Sequence, residues 1–169
     1  MIEPFSVWLI PERDSRRQCR QIINKLARKL QFPVYEPHCT LYGRLKCDPY
    51  EIEPLISHIA TKHAEFSTKV KRIKTGNSKW KCLYFSLRIN DRMKSMFSIC
   101  KDNLLSYRRY AFDPHLSLAY GNYESDELLH FAERIPIPEK LNFSAISLVR
   151  TGETVDDWEV LVHRHFGAI

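Results

Sequence analysis

The sequence predicts an α+β fold with two pseudo-symmetric lobes, each an antiparallel sheet with flanking helices. Along the 169 residues, segments with strand-like alternation take turns with segments of helical periodicity. The same order of segments occurs twice, and no Gly/Ser-rich linker separates the halves, because the whole chain contains only 5 glycines. We expect one bilobal domain over residues 1–169. Two independent domains of about 85 residues each are the alternative.

The elements follow from periodicity and from turn residues. The first half is predicted to hold a strand over 5–10, a helix over 16–30, an extended segment over 38–43, a helix over 50–63 and strands over 66–76 and 81–89. The second half is predicted to hold a helix over 92–107, an extended segment over 112–121, a helix over 125–135 and strands over 142–152 and 158–166. Asp14 or Ser15 is expected to cap the first helix, and Asp48 the second.

Composition and charge restrict the classes of function. Hydrophobic content of 44% and charged content of 27% are those of a globular protein, and no run of 18 apolar residues occurs. The N-terminus lacks the pattern of a signal peptide, so we expect a cytoplasmic protein without a membrane partner. The net charge of +6 favours anionic partners, but the basic residues are dispersed and form no nucleic-acid arm, so DNA is not expected. The 5 cysteines show no metal-finger spacing and are expected to be reduced and mostly buried.

A repeated pentapeptide is the strongest functional signal. The sequences "PHCTL" and "PHLSL" place His38 and His115 77 positions apart. In a strand, residues i and i+2 share a face, so Thr40 lies beside His38 and Ser117 beside His115. The intervening apolar residues point to the opposite, core-facing side. Each segment therefore presents an imidazole and a hydroxyl together on one face of a sheet.

Two such pairs that face each other across a cleft suit chemistry at phosphorus. In-line displacement needs a base for the nucleophile and an acid on the opposite side for the leaving oxygen. Histidine, with a pKa near 6.5, serves in either role near neutral pH, and the hydroxyls of Thr40 and Ser117 can bind phosphate oxygens. Such a site needs no metal or other cofactor. The alternative for a lone histidine is a structural hydrogen bond, but this does not explain titratable residues on the same face of both copies.

With these motifs the chain resembles the two-histidine (2H) phosphoesterase superfamily, and within it the small cyclic phosphodiesterase branch. The likeness extends over the whole chain, because the strand and helix order and the two-lobe length also fit. It implies that His38 and His115 are the acid–base pair, with Thr40 and Ser117 on the phosphate. It further implies that Tyr120, just after the second motif, lies at the site. By the same analogy His115 activates water and His38 protonates the leaving oxygen, although the near-symmetry of the motifs leaves this assignment open.

The implied reaction is metal-independent hydrolysis of a cyclic phosphate, on a nucleoside 2′,3′-cyclic phosphate or an ADP-ribose derivative, to a 2′-phosphate. One alternative is an RNA-end enzyme: a 2′,3′-cyclic phosphodiesterase with 2′–5′ ligase activity or a U6-type 3′–5′ exonuclease. The other is a non-catalytic RNA- or nucleotide-binding module, because retained motifs show capacity and not a physiological reaction. We expect a monomer whose partner is a small nucleotide or an RNA terminus.

Several other residues are weaker candidates. Tyr42 has the strand parity of Thr40, so it either lines the cleft or is a half-buried aromatic residue. Trp80, in a polar loop beside lysines, either stacks on a substrate base or packs on its own hairpin. Trp8 is expected in the core. His163 and His165 share a strand face, but two ligands without a third are a weak metal signal, and a solvated strand is favoured.

Overall fold

Antiparallel strands and packed helices make up the fold of the computed structural model, which describes residues 2–167. The predicted α+β class is confirmed, and none of the helices in this range is long and apolar enough to cross a membrane. The strands are β1 (Phe5–Pro11), β2 (Cys39–Leu45), β3 (Phe66–Ser78), β4 (Lys81–Leu87), β5 (His115–Ala119), β6 (Lys140–Arg150) and β7 (Glu159–His165). The helices are α1 (Arg13–Leu30), α2 (Pro49–Lys62), α3 (Asp91–Leu104) and α4 (Ser125–Ala132), with a short 3₁₀ turn at Val155–Asp157.

The sheet brings its two outermost strands together. The strand order is β2-β1-β6-β3-β4-β5, with β7 also paired to β6, and every pairing is antiparallel. One lobe contains β2, β1, β6 and β7, and the other contains β4 and β5. The long strand β3 joins the two lobes, because its first residues pair with β6 and the rest pair with β4. β2 and β5 lie at opposite ends of this order and yet contact each other. The bent sheet thereby places the two predicted motifs side by side.

The helices pack against the sheet and bury its apolar residues. α1 packs against β5 and β1, α2 against β6 and β7, α3 against β2, and α4 against β3. All five cysteines are free and buried, as predicted. The predicted cap of α1 is wrong, because the Glu12 carboxylate accepts hydrogen bonds from the backbone N–H groups of Asp14 and Ser15, at 2.7 and 3.1 Å. The Ser15 hydroxyl instead accepts a bond from the Asn142 backbone N–H, which ties α1 to β6.

Candidate active site

Both motifs line one cleft of about 360 Å³ between the lobes. His38 lies directly before β2 and Thr40 within it, and His115 and Ser117 come from β5. The volume is in the range of small-ligand pockets. The apolar residues that alternate with them are fully buried on the opposite side of the strands: Cys39, Leu41, Leu116 and Leu118. The expected separation of a polar face from a core face thus holds in both motifs.

Both imidazoles are held in the same tautomer by the same local bond. His38 Nδ1 lies 2.8 Å from the carbonyl oxygen of Glu36, and His115 Nδ1 lies 2.7 Å from that of Asp113. A carbonyl can only accept, so Nδ1 carries the proton in each ring. In the neutral imidazoles, Nε2 therefore keeps its lone pair, on the side of the ring away from the carbonyl. Each motif supplies a nitrogen that can take or, once protonated, give a proton.

An ion pair anchors the residue that orients each histidine. Glu36 pairs with Arg16 and Arg20 on α1, and Asp113 pairs with Lys81 at the start of β4. These partly exposed pairs each contribute at most about 1 kcal/mol to stability. Their structural effect is to fix the backbone two residues before the imidazole. The acidic residue at this position is a further repeated feature of the two motifs.

Burial separates the electrostatics of the two histidines. His38 is 8% exposed, and burial, with a smaller contribution from the charge of His115, lowers its pKa from 6.5 to about 3. His115 is half-buried; burial and nearby Lys81 lower its pKa, while the bond to Asp113 opposes them. Both rings are therefore neutral at neutral pH when the cleft is empty. A bound phosphate anion would favour the protonated form of either ring.

The remaining predicted polar residues surround the histidines. Thr40 is half-buried, whereas Ser117 is buried and donates a hydrogen bond to the backbone oxygen of Trp80 at 3.0 Å. Tyr120 lines the same cleft, and its ring stacks on Tyr35 with centroids 3.9 Å apart. Burial raises the pKa of Tyr120, so its hydroxyl stays protonated and can act as a donor. The positions of these three residues are compatible with contacts to a phosphate.

Trp80 also lines the cleft. It is half-buried, its ring meets Tyr120 edge-on at 5.2 Å, and the Lys79 ammonium lies 4.7 Å from its centroid. Of the two interpretations of this residue, the structure agrees with the cleft position and not with packing on the hairpin alone. An aromatic face with an adjacent cation is suited to a nucleobase.

Two further tryptophans of the cleft were missed by the sequence reasoning. Trp8 is buried, as predicted, but it lies in the cleft wall and stacks on His38 with centroids 3.5 Å apart and an interplanar angle of 11°. Trp158 reaches the same place and meets Trp8 edge-on at 5.0 Å and His38 at 5.6 Å. The pairing of Trp8 with Thr40 across β1 and β2 puts both on one face. No periodic signal marks Trp158, which follows the 3₁₀ turn.

Tyr42 does not line the cleft, because a β-bulge reverses its side. Trp8 pairs with Thr40, but the next residue back, Val7, pairs with Tyr42, so β2 contains one extra residue there. Tyr42 therefore points into the core, where it is fully buried and donates a hydrogen bond to the backbone oxygen of Arg108 at 2.5 Å. The prediction that it shares a face with Thr40 is wrong, since strand parity holds only without a bulge.

The C-terminal histidine pair lies outside the cleft. His163 and His165 have ring centroids 4.9 Å apart on β7, and His163 Nδ1 is 2.7 Å from the Ser147 hydroxyl. Within residues 2–167, no three His, Cys, Asp or Glu side chains are grouped so that they could hold a metal ion. The expected solvated strand agrees with the exposure of both rings.

Comparison with known proteins gives a consistent result. Residues 3–166 match the family described as cyclic phosphodiesterase-like protein. A cyclic phosphodiesterase of Arabidopsis thaliana is 20% identical over 166 residues, which cover 93% of this chain and 92% of that protein. Among solved structures, E. coli LigT complexed with 3′-AMP has a TM-score of 0.64 at 17% identity, with 99% of this chain and 100% of LigT covered. TT0787 of Thermus thermophilus has a TM-score of 0.65 at 14% identity, with 98% of each chain covered. With the paired histidine motifs in one cleft, these matches show that the chain belongs to the cyclic phosphodiesterase-like family of the 2H phosphoesterase superfamily.

Proposed function

We propose that the protein hydrolyses a cyclic phosphate, on a nucleoside 2′,3′-cyclic phosphate or an ADP-ribose derivative, to a 2′-phosphate without a metal. One observation carries the proposal: two imidazoles line the same cleft, and each has Nδ1 bonded to a carbonyl, which leaves Nε2 as the nitrogen for proton transfer. Hydrolysis of a cyclic phosphate needs one proton acceptor and one proton donor on opposite sides of phosphorus. The Thr40 hydroxyl would donate to one non-bridging oxygen, and Ser117 would donate to the other on turning its hydroxyl away from the Trp80 backbone oxygen.

The aromatic walls support a nucleotide as the substrate. Trp80 and Trp158 line the cleft with ring centroids 6.2 Å apart, and both offer faces or edges to a base. Base–aromatic stacking is worth about 1–3 kcal/mol and tolerates any base. E. coli LigT, which shares the fold, has been crystallised with 3′-AMP, with NADP+ and with ATP. Nucleotide binding in this cleft would therefore be consistent with that structural neighbour.

The difference in burial favours His115 as the base and His38 as the acid. His115 is half-buried, so water reaches it, whereas His38 is covered and lies flat on Trp8. An indole face stabilises a cation placed over it, and a bound phosphate anion adds to this effect. Substrate binding would therefore raise the pKa of His38 and leave it protonated as the acid. Proton uptake on binding is a direct consequence of this assignment.

In the proposed reaction every proton has a stated place. Water attacks phosphorus and gives a proton to Nε2 of His115. The P–O3′ bond breaks on the opposite side, and O3′ takes the proton from Nε2 of His38. The product is the 2′-phosphate. Loss of the proton from His115 to solvent restores the empty cleft with both rings neutral, and His38 takes up a proton from solvent when the next substrate binds.

The test is product analysis by phosphorus NMR after incubation with 2′,3′-cyclic AMP in EDTA. The unmutated protein should form the 2′-monophosphate, and His38→Ala and His115→Ala should each lose at least about 100-fold in rate, as expected for removal of an acid or a base. His58→Ala is the matched control, because His58 is exposed on α2 and outside the cleft. Absence of product from the folded, unmutated protein would refute the proposal for nucleosides and direct attention to ADP-ribose derivatives and RNA ends.

A further inference from the structure

We infer that Arg44 and Arg108 form a second anion subsite at the rim of the cleft, which binds a phosphate of the substrate other than the one that reacts. This inference rests on the proposed function and narrows its substrate to nucleotides that carry an additional phosphate group. Arg44 lines the cleft, and Arg108, in the segment that precedes β5, contacts the backbone of Arg44. The feature that would select substrates with a second phosphate is thus a pair of arginines on the side of the molecule that carries the two histidine motifs.

Arg44 is presented by an unusual backbone. It has a φ of 58°, in the left-handed region that non-glycine residues seldom adopt, and it lies in a second bulge of β2, where Val7 and Phe5 pair with Tyr42 and Leu45. Its backbone N–H donates to the Ser6 hydroxyl at 3.0 Å, so this conformation is held by a specific bond. Such conformations persist where the surroundings impose them and are concentrated at ligand sites. The result is a long cationic side chain on the cleft side of an edge strand.

Within the described part of the chain, neither arginine has a carboxylate partner. Among the ion pairs of residues 2–167, none includes Arg44 or Arg108, although Arg16, Arg20 and Arg164 all pair with glutamates. The Arg108 guanidinium donates to the backbone oxygen of Arg44 at 3.5 Å, which brings its charge to the same rim. An anion bound at this rim would be attracted by the charges of both exposed side chains. Guanidinium forks bind phosphate oxygens in a bidentate manner.

The spacing places this subsite beyond the reacting phosphate. Thr40, beside the catalytic His38, and Arg44 are four residues apart on β2, a span of at most about 13 Å along a strand and shorter across a bulge. Thr40 lies beside His38 at the motif, whereas Arg44 is exposed and lies next to Arg108 at the rim, so we assign the two positions to two phosphates. A cyclic phosphate at Thr40 and a second phosphate near Arg44 are bridged by a ribose, as in a nucleotide with a 5′-phosphate. Lys81, the other cation of the cleft lining, is already paired with Asp113.

The experiment compares adenosine 2′,3′-cyclic phosphate with its 5′-phosphorylated counterpart. The unmutated protein should prefer the latter by about tenfold in kcat/KM, the lower end for a charged hydrogen bond. Arg44→Gln and Arg108→Gln should each bring this ratio towards one, and a rise in NaCl from about 0.05 to 0.5 M should do the same through screening. Arg28→Gln, the same change on an exposed α1 residue outside the cleft, should keep the preference.

A binding measurement separates this inference from the proposed reaction. Calorimetry with adenosine 2′,5′-bisphosphate and adenosine 2′-monophosphate needs no turnover, and the bisphosphate should bind about tenfold more tightly to the unmutated protein than to Arg44→Gln. If neither cyclic substrate is hydrolysed but this binding preference is present and lost in Arg44→Gln, the reaction is wrong and the subsite stands. If the cyclic nucleotides are hydrolysed and the 5′-phosphate changes neither kcat/KM nor binding, the subsite is refuted.

Discussion

Acidification should destabilise this fold through His38, a buried histidine that is neutral in the native state. Burial first, and then the charge of His115, lower its pKa from 6.5 to about 3. In the unfolded chain the same ring titrates near 6.5. As pH falls below 6.5, the unfolded state therefore binds a proton that the folded state does not bind. The stability that His38 contributes is complete above pH 6.5 and is lost progressively as pH falls towards 3.

The size of this effect follows from the two pKa values. Between about pH 7 and pH 5, the unfolded ring gains about 0.7 of a proton and becomes almost fully protonated, while the folded ring, with a pKa of about 3, gains almost none. Each pH unit below 6.5 contributes about 1.4 kcal/mol, so the free energy of unfolding should fall by about 2 kcal/mol over this interval. That is a large share of the 5–15 kcal/mol that is typical of a domain.

Urea unfolding of the unmutated protein, His38→Gln and His58→Gln at these two pH values measures the effect. His38→Gln should lose about 2 kcal/mol less on acidification than the unmutated protein. His58→Gln, altered at an exposed residue of α2, should behave as the unmutated protein does. His115 and His163, whose pKa values burial also lowers, contribute with the same sign in all three proteins and cancel in the difference. An equal loss in His38→Gln would refute the buried neutral histidine as the cause.

Two further outcomes follow from the site. Because burial lowers the pKa values of both His38 and His115, kcat/KM for a 2′,3′-cyclic nucleotide should be bell-shaped with its alkaline limb below pH 6.5, while kcat, which reports the anion-bound enzyme, should keep its limb at higher pH. A kcat/KM maximum above pH 7 would contradict this. Tyr42→Phe should lower the free energy of unfolding by about 1 kcal/mol through loss of the bond to Arg108, with unchanged turnover of adenosine 2′,3′-cyclic phosphate. A large loss of turnover in folded Tyr42→Phe would contradict the conclusion that Tyr42 lies in the core and outside the cleft.

Local signals in the sequence were sufficient for most of the fold. Period and turn residues gave the order of strands and helices, and strand parity placed the core-facing residues of both motifs correctly. These features depend on neighbours within a few positions along the chain. The predicted N-cap of α1 was wrong, because aspartate and serine are usually better caps than glutamate and yet Glu12 caps this helix. The Ser15 hydroxyl instead accepts a hydrogen bond from β6, and this contact between residues far apart in the chain is not visible in the local sequence.

The aromatic part of the site could not be predicted, because it is assembled from segments far apart in the chain. Trp8, Trp80 and Trp158 come from β1, the β3–β4 loop and the segment before β7, and their rings meet only in the folded sheet. Trp8 appears in the sequence as an ordinary apolar strand residue. Its contact with His38 depends on the pairing of β1 with β2. Burial was therefore predictable for this residue, whereas its contact with His38 was not.

The two bulges of β2 explain the positions of Tyr42 and Arg44, which strand parity does not predict. A regular strand would have turned Tyr42 into the cleft beside Thr40, as parity predicts. One extra residue turns Tyr42 into the core instead, where it bonds the segment that leads to the second motif through Arg108. The second bulge then places Arg44 on the rim in a left-handed conformation. The same irregularity that defeats a period-two prediction thus clears the cleft of one aromatic ring and supplies it with a cation, which agrees with the enrichment of bulges beside active sites.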